Sequence, residues 1–275
     1  MKKHNYSAGP CILPQEVFEK SAQAILNFNN SDMSILEISH RSKDFVAVMD
    51  EARALAIELL GLEGKGYTAI FLAGGASMEF LMAPYNLMKE NGKAAYLDSG
   101  TWASAAIKEA KFFGETVIVA SSKEKNYNHV PKGYTVPADA NYFHCTSNNT
   151  IFGTQMKEFP NLDMPIVCDM SSDIFSRVLD FSKFDIIYAG AQKNMGPAGT
   201  TLVVIKEEIL GKNDRTIPSM LDYAKHIKAE SMYNTPPVFP VYASLLTLKW
   251  LKNLGGNSCN RKNEQCKSSF ALYRN

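Results

Sequence analysis

Lys193 and Asp169 are the residues of this chain best placed by their flanking sequence to do chemistry. Lys193 follows an apolar run, Phe184 to Ala189, that ends in a turn of small residues and leads into Asn194-Met195-Gly196-Pro197-Ala198-Gly199. A lysine at the mouth of a buried strand is desolvated, which lowers its pKa, frees the amine and suits it to form an imine with an aldehyde. Asp169 ends a second apolar run, Met164-Pro165-Ile166-Val167-Cys168. A carboxylate at one strand end and an amine at another form the pair that pyridoxal 5′-phosphate requires. The carboxylate holds the ring nitrogen protonated, and the amine holds the aldehyde.

Further candidates lie in other loops, each with a plainer alternative. Leu72-Ala73-Gly74-Gly75-Ala76-Ser77 joins a strand to a helix, where glycines admit close approach and helix N-terminal amides bind phosphate; alternatively it is a tight turn. Trp102, after Ser99-Gly100-Thr101, offers an aromatic face to a flat heterocycle, or is a half-buried surface tryptophan. Thr150 either hydrogen-bonds a cofactor or belongs to a polar loop. Asp169 could equally cap the Ser171-Ser172-Asp173 turn, and Lys193 could be a surface lysine. One cofactor explains Gly74-Gly75, Trp102, Thr150, Asp169 and Lys193 together. His40 and Arg41 are adjacent donors, and the planar fork of Arg41 suits carboxylate or phosphate; a surface pair is the alternative. Asn234-Thr235-Pro236-Pro237 is a rigid turn leading into a helix.

The elements that must position these residues alternate. Helical periodicity marks PQEVFEKSAQAILNF, with Val17, Phe18, Ala22, Ile25 and Leu26 expected on one face, and DFVAVMDEARALAIELLGL, which Gly61 stops. Strands are expected at YTAIFL, KAAYLD, ETVIVA, NYFHCT, PIVCDM, FDIIYA and TLVVI, with helices at MEFLMAPYNLM, TWASAAIKEAKFF and PVYASLLTLKWLKNLGG. Short apolar strands alternating with helices predict an α/β fold with a mostly parallel sheet covered on both faces. Ligands of such sheets sit beyond the carboxyl ends of the strands, where the candidates fall.

Composition excludes several classes of function. The 275 residues are 45% apolar and 21% charged, with a formal net charge of +1, which gives no reason to expect nucleic acid or membrane as a partner. No apolar run reaches the length of a membrane span, and the N-terminus makes a poor signal peptide. Five cysteines without a CxxC pair, with Cys145 and Cys168 read as small buried residues, suit a reducing cytoplasm. The five histidines lack metal-ligand spacing, so no metal site is expected.

Residues 257–275, NSCNRKNEQCKSSFALYRN, have no apolar period and read as a disordered tail or as an aberrant one. Back-translated with permitted codons and read one base on, the segment yields IAAIEKMSNAKAALLYTE, an amphipathic helix. An out-of-frame terminus is therefore expected, and sequencing of the source DNA would decide it.

In order along the chain, Tyr6-Ser7-Ala8-Gly9-Pro10, Ser39-His40-Arg41-Ser42, Gly74-Gly75-Ala76-Ser77, Gly100-Thr101-Trp102, Asn148-Asn149-Thr150-Ile151, Asp169-Met170-Ser171-Ser172, Tyr188-Ala189-Gly190-Ala191-Gln192-Lys193-Asn194 and Tyr233-Asn234-Thr235-Pro236-Pro237 form a set. With these motifs the chain resembles the phosphoserine aminotransferases, fold-type I enzymes of the class V aminotransferase group, over residues 4–256. The resemblance implies a three-layer α/β/α fold, a homodimer with shared sites, and transfer of an amino group from glutamate to 3-phosphohydroxypyruvate in serine synthesis and, in many bacteria, pyridoxine synthesis. It implies that Lys193 holds the cofactor and moves the proton, Asp169 pairs with the ring nitrogen, and Trp102 stacks on the ring. Thr150 would contact the ring hydroxyl side. Ala76 and Ser77, with Gln192, would hold the phosphate, Asn234 and Thr235 would reach the phosphate in the neighbouring subunit, and His40 and Arg41 would bind substrate.

Residues 1–14 would belong with a small domain, 15–256 would form the large cofactor-binding domain, and the rest of the small C-terminal domain would be largely missing. The substrate-binding arginines and histidine that this domain supplies in the family have no match here, so weak or no activity is expected. A class V relative acting on alanine, glyoxylate or cysteine, and a non-catalytic cofactor-binding remnant, are the alternatives.

Overall fold

A computed structural model describes residues 4–256; the expected out-of-frame segment lies outside them. The chain opens with helices α1 (Gln15–Leu26) and α2 (Lys43–Leu59) and then alternates: β1 (Tyr67–Leu72), α3 (Gly75–Leu87), β2 (Lys93–Asp98), α4 (Thr101–Ala110), β3 (Glu115–Ser121) and β4 (Phe143–Thr146). A short hairpin, β5 (Asn148–Asn149) and β6 (Thr154–Gln155), precedes β7 (Ile166–Asp169), β8 (Ile186–Gly190), the one-turn α5 (Ala191–Asn194) and β9 (Thr201–Lys206). Helices α6 (Tyr223–Lys228) and α7 (Val238–Asn253) follow.

Seven strands form one sheet in the order β1-β9-β8-β7-β4-β2-β3. Only β9 runs against the rest, antiparallel to both β1 and β8, so the sheet is mostly parallel as the alternation predicts. Successive residues of each strand face opposite layers. Phe71, Cys168, Ile187 and Leu202 pack with α1, α2 and α7, whereas Ile70, Val167, Tyr188 and Val203 pack with α3 and α4. Double coverage explains why β4, β7 and β8 are buried along their whole length, while edge strand β3 is not.

The start of α2 follows from its sequence: the Ser42 side chain accepts the N–H of Phe45, a side-chain N-cap. The face expected of α1 is corrected. Val17, Ser21 and Ala24 are buried, with Phe28 just beyond the helix, whereas Phe18 is 45% and Leu26 77% exposed, and Ala22 and Ile25 also face outward. Ser21 and Ala24 are small enough to let α1 approach α7 closely, and that approach selects the stripe in place of the bulkier one beside it. Among the described residues no helix is long and apolar enough to cross a membrane, and no cluster of His, Cys, Asp or Glu is fit to hold a metal ion.

Candidate active site

Six strands point the same way, and the functional candidates gather where they end. Leu72 closes β1 and leads into Gly74-Gly75, and Asp98 closes β2 two residues before Gly100. Thr146 and Asp169 are paired at the ends of β4 and β7, and Asp169 is paired with Tyr188 of β8. Lys193 lies in α5, directly after β8. Each loop is thus carried by a buried strand, and the side chains at the loop bases have little freedom.

The lysine amine is the hub. Lys193 Nζ donates to Thr150 Oγ1 at 2.9 Å and sits 5.3 Å from the centroid of the Trp102 ring. Burial lowers its pKa below the ordinary lysine value, and the charge of Asp169 opposes that shift. Asp169 is 5% exposed. Burial raises its pKa, while hydrogen bonds from Ser171 and the charge of Lys193 hold it down. Each of the two groups therefore favours the charged form of the other. The capping alternative for Asp169 is also realised, because its Oδ1 accepts the Ser171 N–H at 2.9 Å and the Ser171 hydroxyl at 2.7 Å. One carboxylate shapes the turn and interacts through charge with the lysine.

Beneath Asp169, on the α3 side of the sheet, lies a buried polar layer. Tyr188 Oη and His144 Nε2 are 2.7 Å apart, and burial pulls the His144 pKa down to about 3, so this imidazole is neutral at ordinary pH.

Trp102 stands 36% exposed in the first turn of α4. Its turn is held from below by Asn149, whose Nδ2 donates to the Ser99 carbonyl at 2.9 Å; a Cβ on Gly100 would lie 2.5 Å from Asn149 Cγ. Asn149 precedes Thr150, so one buried amide ties the tryptophan turn to the residue that bonds the lysine. At α3 the N-cap is Gly74, with φ +102, followed by Gly75 with φ +69, and no side chain caps the helix. The first amides of α3, including Ala76 and Ser77, thus open beyond the strand ends, as an anion requires.

The N-terminal segment also reaches the site. Cys11 N–H donates to the Gln192 carbonyl at 3.1 Å, its thiol lies 2.5 Å from the Lys193 carbonyl, and a Cβ on Gly9 would come within 2.9 Å of Lys193 Cγ. The only signal of this in the sequence is the small Gly9 beside Pro10. Two predicted pairs are bonded locally. Arg41 Nε donates to His40 Nε2 at 3.3 Å, in the turn before α2. Asn234 bonds the carbonyl of Thr235, and both are exposed before α7.

The donor set fits pyridoxal 5′-phosphate: a half-buried amine, a buried carboxylate at the next strand end, an aromatic face beside the amine, a hydroxyl on it, and an uncapped glycine-led helix start. Comparison with known proteins agrees. The family model for class-V aminotransferases matches residues 4–272. A phosphoserine aminotransferase of Flavobacterium psychrophilum is 82% identical over 273 residues, covering 99% of this chain and 76% of that one. The solved phosphoserine aminotransferase of Bacillus circulans subsp. alkalophilus superposes with a TM-score of 0.90 at 43% identity, over 95% of this chain and 74% of that one. The pyridoxal-phosphate-bound enzyme of Trichomonas vaginalis gives a TM-score of 0.88 at 34% identity, over 95% and 75%.

Proposed function

The chain belongs to the phosphoserine aminotransferases of class V, and from that premise we propose that it binds pyridoxal 5′-phosphate and moves an amino group from glutamate to 3-phosphohydroxypyruvate, yielding phosphoserine and 2-oxoglutarate. The observation that carries this reading is the placement of Lys193 Nζ, 2.9 Å from Thr150 Oγ1 and over the Trp102 ring, in electrostatic contact with a buried carboxylate from the neighbouring strand. When bound, the cofactor supplies an aldehyde for the amine and an electron-withdrawing ring that acidifies the substrate α-carbon.

Lys193 holds the aldehyde and serves as the base at the substrate α-carbon; its burial keeps the amine reactive. Asp169 keeps the ring nitrogen protonated, because a buried carboxylate favours a positive partner. Trp102 orients the ring by stacking, and Thr150 aligns both the lysine and the ring hydroxyl. The Ala76 and Ser77 amides, with the Gln192 side chain, receive the phosphate. His40 and Arg41 take the anionic end of the substrate, for which the guanidinium fork is suited. Asn234 and Thr235, exposed in the single chain, reach the phosphate of a partner subunit in a homodimer. The cytoplasm suits the free thiols of Cys11, Cys145 and Cys168.

The visible spectrum of the protein mixed with pyridoxal phosphate tests the cofactor assignment. Wild type is expected to show a protein-bound cofactor band that Lys193→Ala loses. Faster turnover of alanine with glyoxylate than of glutamate with 3-phosphohydroxypyruvate would refute the substrate assignment.

A further inference from the structure

We propose that Ser171 is a positioning residue for the amine–carboxylate pair: its hydroxyl aims the Asp169 carboxylate and ties it to the strand end that launches Lys193. This rests on the reading of Asp169 as partner of the cofactor ring nitrogen. Ser171 is 5% exposed. Its Oγ and its backbone N–H both donate to Asp169 Oδ1, at 2.7 and 2.9 Å, and its Oγ accepts the N–H of Gly190 at 3.2 Å. A serine hydroxyl has one hydrogen, and a backbone N–H can only donate. The Ser171 proton therefore points at Asp169, and its direction is set by its partners.

Two donors converging on one carboxylate oxygen fix the rotation of the carboxylate about Cβ–Cγ and leave Oδ2 outside these bonds. Gly190 is the last residue of β8 and the N-cap of α5, three residues before Lys193. One hydroxyl thus joins the ends of β7 and β8, the two strands that carry the pair.

Two other groups act on Asp169 through charge, Lys193 from α5 and Asp173 from the following turn, while the Asp169 charge helps to keep buried Tyr188 and Cys168 protonated. The hydrogen bonds that the described residues give this carboxylate both come from Ser171. Removing the hydroxyl halves them. The carboxylate then binds a proton more tightly and loses its fixed orientation.

The test uses the full chain carrying ¹³Cγ-labelled aspartate, with the Asp169 resonance identified by its loss in Asp169→Asn. In the cofactor-free protein, Ser171→Ala is expected to raise the Asp169 titration midpoint by about one pH unit, roughly tenfold in proton affinity, whereas Ser171→Thr stays within about 0.3 units of wild type. In the loaded protein, the bound chromophore's visible band should shift its pH dependence in the alanine variant and recover in the threonine variant. An Asp169 midpoint in Ser171→Ala equal to that of wild type overturns the proposal. If the alanine chain does not fold, Ser171→Cys keeps the volume, weakens the donor and is held to the same criterion. Failure of wild type to form any cofactor band would defeat the proposed function, yet the Asp169 titration would still decide the part played by Ser171.

Discussion

Glu79 should make the stability of this protein fall as pH rises through neutrality. It lies one turn into α3, below the uncapped helix start, and is fully buried. Tyr223 Oη donates to its Oε2 at 2.6 Å, while its Oε1 is buried without a hydrogen-bond partner. Burial raises its pKa from 4.5 to about 8, only partly opposed by the Tyr223 bond. The folded state therefore holds a proton that the unfolded chain releases between these two values. Stability is fully present below pH 4.5 and is lost progressively as pH rises to 8. At about 1.4 kcal/mol per pH unit, the whole interval is worth on the order of 5 kcal/mol, a large share of the stability of an ordinary domain. Glu79→Gln keeps the shape and the acceptor for Tyr223 and removes the titration. In urea unfolding at pH 5, 6, 7 and 8, the variant should match wild type within about 1 kcal/mol at pH 5 and exceed it by several kcal/mol at pH 8. Parallel curves for the two proteins across that range would refute the reasoning.

Two further outcomes are expected. Trp102→Ala removes the aromatic face beside the lysine and should weaken pyridoxal-phosphate binding by about tenfold, read by equilibrium dialysis, with the unfolding midpoint little changed because the side chain is 36% exposed. Gly100→Ala drives a Cβ to 2.5 Å from Asn149 Cγ; it should cost about 1–3 kcal/mol in urea unfolding and weaken cofactor binding, because Asn149 supports both the Trp102 turn and Thr150. If Gly100→Ala were neutral in both measurements, Asn149 would not be the rigid support described.

Below the Asp169 carboxylate, the Tyr188–His144 contact and the neighbouring Tyr96 and Tyr142 form a buried polar layer. Its groups stay uncharged because burial raises the tyrosines and lowers the histidine. The Lys193–Asp169 pair thus stands above an uncharged floor, and its electrostatics are set by near neighbours.

Strands, helices and their alternation were legible in the residues themselves, because an apolar run of strand length between turn signals can be buried on both faces only in a covered parallel sheet. That architecture places residues at strand ends and just after them, such as Asp169, Lys193 and Trp102, at one edge without further information. The α1 stripe was not legible: Phe18, Ile25 and Leu26 look like a core face, and Ser21 and Ala24 do not, until α7 packs against them. Nor were the contacts of Ser171 with Gly190, of Asn149 with Ser99 and Gly100, and of Cys11 and Gly9 with Lys193. These join residues distant in the chain or separated by a turn, and short-range patterns carry no record of which loops meet. Periodicity determined the strands and their common edge; only the tertiary structure decided which hydroxyl and which amide hold the lysine, the carboxylate and the tryptophan in place, because those contacts exist only once separate strands lie side by side.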